Sequence, residues 1–195
     1  MKNMRKVTKE QLRDMILNGE DISSVDYSDV TNMSYMFRGC SSLEEMPHLD
    51  TSKVTDMRYM FYGCKELTIL PPNFDASKVA DMAYMFAGCS SLEKIPHLDT
   101  SKVTDMAYMF DGCSSLEEIP HLDTSEVTDM YRMFRGCSSL KEIPHLDTSK
   151  VTYMSYMFDG SSNLEYLEEP MDFVNYKWNK EMHPLIFKKY PELFI

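Results

Sequence analysis

An α/β repeat solenoid of about six coils, built from short parallel strands and helical or 3₁₀ turns, is the fold that this 195-residue sequence predicts. Three observations predict it. A Val that opens a recurring Val-Thr-x-Met core falls at Val30, Val54, Val79, Val103, Val127 and Val151, in steps of 24, 25, 24, 24 and 24 residues. A fixed period in the range of about 20–50 residues marks a stacked-repeat protein. Within each unit the apolar positions recur in register, as in Val54, Met57, Met60, Phe61, Cys64, Leu67, Leu70 and Phe74. No single unit can bury that many large side chains alone, whereas stacked units share one core. Finally, the pattern stops at both ends, where residues 1–21 and 168–195 differ in composition from the body at 22–167.

The N-terminal stretch reads as a helical cap. Thr8-Lys9-Glu10-Gln11 has the spacing of a capping box, and Val7 with Leu12 that of a hydrophobic staple. Leu12, Met15 and Ile16 form one helical stripe, and Asn18-Gly19 supplies a stop. Inside the repeat, Ser-Leu-x-x-Ile suggests a short extended segment, and Asp-Met-x-Tyr-Met-Phe a helical or 3₁₀ turn closed by the repeated glycine. Pro71-Pro72-Asn73-Phe74 adds one residue, which predicts a local bulge in an unbroken stack. Residues 168–195, with Phe173, Tyr176, Trp178, Leu185 and Phe187, read as an aromatic lid over the last coil. The three stretches are expected to make one continuous domain.

The formal charge of −11 disfavours nucleic acid and anionic membrane surfaces, since a phosphate-binding face needs clustered Lys and Arg. No apolar run approaches the roughly 20 residues that span a bilayer. The five cysteines all occupy one repeat position (Cys40, Cys64, Cys89, Cys113, Cys137), with Ser161 in the sixth unit. That placement fits a column of small buried side chains, not a disulfide framework or a metal motif. The paired Met columns, exemplified by Met57 and Met60, read as core.

Stacking turns repeat positions into columns, and three columns are candidates for chemistry. Asp26, Asp50, Asp75, Asp99, Asp123 and Asp147 suggest a calcium ladder or, more simply, turn caps that accept local N–H groups. His48, His97, His121 and His145, interrupted by Asn73, suggest a transition-metal ladder or solvated loop residues. Tyr35, Tyr59, Tyr84, Tyr108, Arg132 and Tyr156 form the candidate partner-binding column, because Tyr and Arg are enriched at interfaces. Its flanks vary in an otherwise strict unit: Arg58, Ala83, Ala107 and Tyr131 before it, and Arg38, Tyr62, Ala87, Asp111 and Arg135 after it. Catalysis needs unlike groups converging in one pocket, which translational repetition does not make, and no catalytic or cofactor motif occurs. The expectation is a non-enzyme without a cofactor.

The unit Asp99-Thr100-Ser101-x-Val103-Thr104-x-Met106-x-x-Met109-Phe110-x-Gly112-Cys113-x-Ser115-Leu116-x-x-Ile119 and its relatives resemble the BspA-type leucine-rich repeats of bacterial surface proteins. The resemblance covers residues 22–167 and implies a leucine-rich-repeat-like solenoid with one parallel strand per coil. It implies adhesion or binding of a protein or glycan, no catalytic residues, and a surface or secreted location. The segment after Ile119 is shorter than the family unit, and no signal peptide is evident after the basic Met1–Lys6 stretch. A cytoplasmic location is expected if the chain is the full product. The alternative function is a metal-binding or purely structural solenoid that uses the stacked Asp or His columns.

Overall fold

The computed structural model describes residues 4–167 and consists of one stack of coils. The aromatic lid expected over 168–195, including Trp178, lies outside the described residues. Phe37, Phe61, Phe86, Phe110, Phe134 and Phe158 line up along the axis, with ring centroids 5.5–5.9 Å apart and planes within 15° of parallel. Both Met columns and the Val, Leu and Cys positions pack around this ladder and are buried, apart from Val30, Cys40, Leu43 and Leu164, which are partly buried. Equivalent side chains therefore form continuous lines, as the repeat requires.

Strand structure is sparser than the sequence suggests. The short parallel pairs are β1 (Arg5–Lys6) with β2 (Val25–Asp26), and β3 (Glu142–Ile143) with β4 (Tyr166–Leu167). Elsewhere neighbouring coils meet at isolated parallel bridges, in the run Asn32–Asp56–Asp81–Asp105–Asp129–Tyr153 and at Glu45–Ile69.

The expected helical or 3₁₀ turn is absent, and the backbone gives the reason. Met36 N–H bonds the Met33 carbonyl, Arg38 the Tyr35 carbonyl and Cys40 the Phe37 carbonyl, so three β-turns follow one another. Tyr35 (φ 61°) and Gly39 (φ 74°) stand third in the outer two turns, where a type II turn needs positive φ. A positive φ at these places breaks any right-handed helix. It also aims the N–H groups of Met33, Tyr35, Phe37 and Gly39 along the axis, onto the carbonyls of Asp56, Arg58, Met60 and Tyr62 at 2.7–2.9 Å. The same donors recur in later coils, so the turn segment itself carries the inter-coil hydrogen bonds that a strand would otherwise supply.

Helix α1 (Lys9–Leu17) is the N-terminal element the sequence predicts. Thr8 and Gln11 form the reciprocal capping box, Val7 and Leu12 are buried, and Gly19 (φ 70°) ends the helix. The bonds from Glu20 N–H to the Met15 carbonyl and from Gly19 N–H to the Ile16 carbonyl complete a Schellman motif. The added residue near Pro71 is absorbed without loss of register. Phe74 occupies the column of Leu49, Leu98, Leu122 and Leu146 and is buried, and Asn73 Nδ2 lies 3.2 Å from His48 Nε2.

Candidate functional site

The Tyr column is a half-exposed ladder. Tyr35–Tyr59, Tyr59–Tyr84 and Tyr84–Tyr108 stack with centroids 4.8, 4.4 and 4.2 Å apart and planes within 14° of parallel. All six members of the column, Arg132 included, have φ between 56° and 61°. A left-handed conformation costs about 1–2 kcal/mol for a residue with a Cβ. Each aromatic pair returns about 0.5–1.5 kcal/mol. Three stacked pairs thus offset only part of the strain at six positions, and the column stays partly exposed along its length.

Two arginines clamp this surface. Arg38 lies over the rings of Tyr35, Tyr59 and Tyr62 at 5.6, 5.9 and 5.3 Å. Arg132 replaces a ring and sits 5.7, 5.1 and 5.3 Å from Tyr108, Tyr131 and Tyr156. Its Nε is buried without a hydrogen-bond partner, so these π-faces are its compensation. Burial raises the Tyr59 and Tyr84 hydroxyl pKa values above the ordinary range, and neighbouring Tyr hydroxyls add to the effect at Tyr84.

The flank that follows the column reads Arg38, Tyr62, Ala87, Asp111, Arg135 and Asp159 from coil to coil. Arg135 Nη1 reaches Asp111 at 3.3 Å, and its Nε reaches Asp159 at 3.5 Å. Ala87 is the one short side chain in this line. A cleft of about 420 Å³ opens there, bounded by Tyr62, Tyr84, Tyr108 and Asp111 over Gly63 and Gly88, with Lys65 on its rim. Burial raises the Asp111 carboxyl above its ordinary value despite the charge and hydrogen bond of Arg135.

A second carboxylate line flanks the ladder on its other side and escaped the sequence reading. Asp56, Asp81, Asp105 and Asp129 each accept the N–H of the residue two positions on, at 2.8–3.1 Å. Asn32 takes the same role toward Ser34 at 2.9 Å. Burial raises the carboxyls of Asp81 and Asp129, with like charge from Asp105 contributing to both. Recurrence of Asp immediately before the first Met of the turn was the available signal.

The Asp column singled out from the sequence sits in Asx-turns. Oδ1 of Asp26, Asp50, Asp75, Asp99, Asp123 and Asp147 accepts the N–H of the Ser two residues later at 2.9–3.1 Å. Hydrogen bonding from the Ser hydroxyl, together with that N–H bond, holds the carboxyls of Asp50, Asp99, Asp123 and Asp147 below the usual range. The adjacent Thr residues are buried, and Thr100 and Thr124 donate to the carbonyls of Asp123 and Asp147 at 2.9 Å. His48, His97 and His121 are exposed and His145 is half-buried. Among the described residues, no three or more His, Cys, Asp or Glu side chains converge in a metal-binding arrangement.

The Cys column lies inside. Sγ of Cys64, Cys89, Cys113 and Cys137 donates to the carbonyl of a Phe in the preceding coil at 3.1 Å, and Ser161 Oγ does the same to Phe134 at 2.6 Å. Burial pushes the Cys64 thiol up to about 12 and the deeper thiols further in the same direction.

A family model described as "Mycoplasma protein of unknown function, DUF285" matches residues 2–118 and again 91–186. The chain belongs to the DUF285 family. The BspA-type leucine-rich-repeat character read from the sequence holds for this family member. A leucine-rich repeat protein from Eubacterium ventriosum ATCC 27560 superposes with a TM-score of 0.57 at 27% identity, over 80% of this chain and 39% of that one. Another, from Bacteroides ovatus ATCC 8483, gives a TM-score of 0.47 at 25% identity, over 65% of this chain and 33% of that one. The chain thus spans less than half the length of either structure. No curated protein matches it.

Proposed function

We propose that this chain is a non-catalytic scaffold that recognises a partner protein through the face carrying Tyr35, Tyr59, Tyr84, Tyr108, Arg132 and Tyr156. The carrying observation is a half-exposed aromatic ladder held in a strained, left-handed backbone. Positive φ at six bulky residues persists where surrounding structure over-determines it, and such strain concentrates at functional surfaces. The rings contribute flat amphipathic contact area at little entropic cost, on a backbone already fixed by inter-coil hydrogen bonds.

Variation in the flanking residues then supplies specificity, from Arg38 and Tyr62 to Asp111 and Arg135. In this reading six coils form the stack and α1 closes one end of it. The adhesive role of BspA-type surface proteins is its natural setting, with glycan as the less favoured ligand.

Photo-cross-linking tests the assignment of the face. Benzoylphenylalanine is placed at Tyr62 or Asp111 on the ladder face, and at Glu93 or Glu118 away from it. Cross-linked partners are expected from the first pair of positions alone. Equal labelling from both pairs, or labelling from Glu93 and Glu118 only, overturns the reading.

A further inference from the structure

The ladder face carries one interruption in an alternating line of charges and rings, and that interruption defines a ligand. Along the stack, the Arg38 guanidinium lies on the Tyr62 ring at 5.3 Å, and Arg135 holds Asp111 at 3.3 Å before reaching Asp159 at 3.5 Å. Between Tyr62 and Asp111 stands only the methyl of Ala87, beneath the cleft of about 420 Å³. Cation and π-face, then carboxylate and cation, are the partners this line uses everywhere else. The missing member is a cation with an aromatic ring on one side and a carboxylate on the other.

We propose that the Ala87 cleft receives an arginine side chain of the partner protein, its guanidinium between the Tyr62 ring and the Asp111 carboxylate. The inference rests on the scaffold reading above and names the group recognised.

Geometry supports the fit. Two coil steps span about 10 Å at the spacing of parallel neighbours. A planar guanidinium with ordinary contact distances of about 3.5–4 Å to each side needs about 7–8 Å and so fits within that interval. The floor is permissive: Gly63 and Gly88 present no side chain, and the Tyr84 and Tyr108 rings stack 4.2 Å apart to form a continuous wall.

Arginine fits better than lysine because it satisfies a ring face and a carboxylate fork at once. Charge favours it as well. The chain carries −11 overall, and Asp81, Asp105 and Asp129 line the other side of the ladder. Lys65 on the rim is exposed and is the one opposing charge lining the cleft.

The test uses the full chain, labelled with ¹⁵N and titrated with acetyl-Gly-Arg-Gly-amide. Matched peptides carrying Lys or Gln, and chitotriose as a glycan probe, serve as comparisons. Saturable shifts are expected at the amides of Gly63, Ala87 and Gly88 with the Arg peptide, weaker ones with Lys and none with Gln. Asp111→Asn is expected to weaken the Arg peptide at least fivefold. Ala87→Arg, which supplies the guanidinium from the chain itself, is expected to abolish its binding.

Absence of saturable shifts overturns the proposal, as does equal response to Gln or an unaltered affinity in Asp111→Asn. Chitotriose shifting the same amides in place of the Arg peptide assigns the cleft to a glycan and also overturns it. If any of these occurs while photo-cross-links still map to the ladder face, the cleft assignment falls and the scaffold reading stands.

Discussion

Arg13 Nε donates to the Met36 carbonyl at 2.8 Å, in the place a backbone N–H would occupy if another coil preceded the first. The equivalent carbonyls of Met60, Met85, Met109, Met133 and Met157 each accept such an N–H, from Phe37, Phe61, Phe86, Phe110 and Phe134. Lys9 Nζ likewise reaches the Ser34 carbonyl at 3.2 Å, whose counterparts on Arg58 and Ala83 are bonded by Tyr35 and Tyr59. Helix α1 therefore packs on the first coil through hydrogen bonds as well as apolar contact. Its Leu12 and Met15 are buried in the shared core, and two cations on the same helix occupy carbonyl acceptors of the first coil.

Substituting Arg13 by Leu leaves the Met36 carbonyl to water or to nothing. Leaving a shielded acceptor unpaired costs about 1–3 kcal/mol. Because Arg13 is itself part-exposed, the expected loss is near the lower end of that range, about 1 kcal/mol. Arg13→Lys, which keeps a donor, is expected to retain more than half of it. Denaturant melts measure both, and an Arg13→Leu protein as stable as the wild type would show that the bond contributes nothing.

Asp129 and Asp99, one from each Asp line, respond oppositely to charge removal. Burial raises the Asp129 carboxyl in the folded chain, so ionisation near neutrality opposes folding. The native state binds that proton more tightly than the unfolded chain, and stability is regained as pH falls through the folded value. Asp129→Asn keeps an oxygen for the Tyr131 N–H, as Asn32 does for Ser34, and is expected to raise the melting temperature at neutral pH.

Asp99 is held low by the Ser101 hydroxyl and N–H, so its charge favours folding above the ordinary carboxylate range. That contribution disappears as pH falls through the lowered value. Asp99→Asn is expected to lower the melting temperature at neutral pH. Both differences should close on acidification, and melting curves at stepped pH read the two signs directly.

Left-handed backbone in the Tyr column predicts an inversion of the usual Ala and Gly order. At Tyr108, with φ 58°, Ala forfeits the stacked ring and keeps the strain, whereas Gly forfeits the ring and relieves it. Relief of about 1–2 kcal/mol exceeds glycine's extra backbone entropy of about 0.5–1 kcal/mol. Tyr108→Gly should therefore be more stable than Tyr108→Ala by about 0.5–1 kcal/mol. Equal stabilities, or Ala ahead, would show that the turn is not strained there.

Which side chains form lines was legible in the sequence because near-identical units can stack in only one register. Phe86 and Phe110 are stacked at 5.6 Å for that reason. The conformation of the turn was not legible. Tyr is unusual at positive φ, so Asp-Met-x-Tyr-Met-Phe reads locally as a right-handed turn, and only the axial hydrogen bonds of its N–H groups explain the departure. Arg13 and Lys9 were hidden for a related reason, since their acceptors are backbone carbonyls of a distant segment and leave no trace in side-chain pattern. At the candidate site, the Tyr line and its variable flanks were readable, but the cleft at Ala87 required knowing that successive flank residues stand side by side.

The Cys column makes the last prediction, and Ser161 already contains half of it. Ser161 Oγ and the four buried thiols donate to the same kind of Phe carbonyl, so the position selects a small donor rather than sulfur chemistry. Cys113→Ser should keep the bond to the Phe86 carbonyl and stay within about 1 kcal/mol of the wild type. Cys113→Val adds a branch where packing is complete and removes the donor, which costs about 1–3 kcal/mol. Reactivity follows the same geometry. Cys64, Cys89, Cys113 and Cys137 are fully buried, whereas Cys40 in the first coil is half-buried. A thiol reagent such as dithiobis-nitrobenzoate should label Cys40 alone in the native protein, and slowly, because burial raises that thiol too. The other four should react only on unfolding. Rapid native labelling of Cys113 would mean that the coils separate far more readily than their inter-coil hydrogen bonds allow.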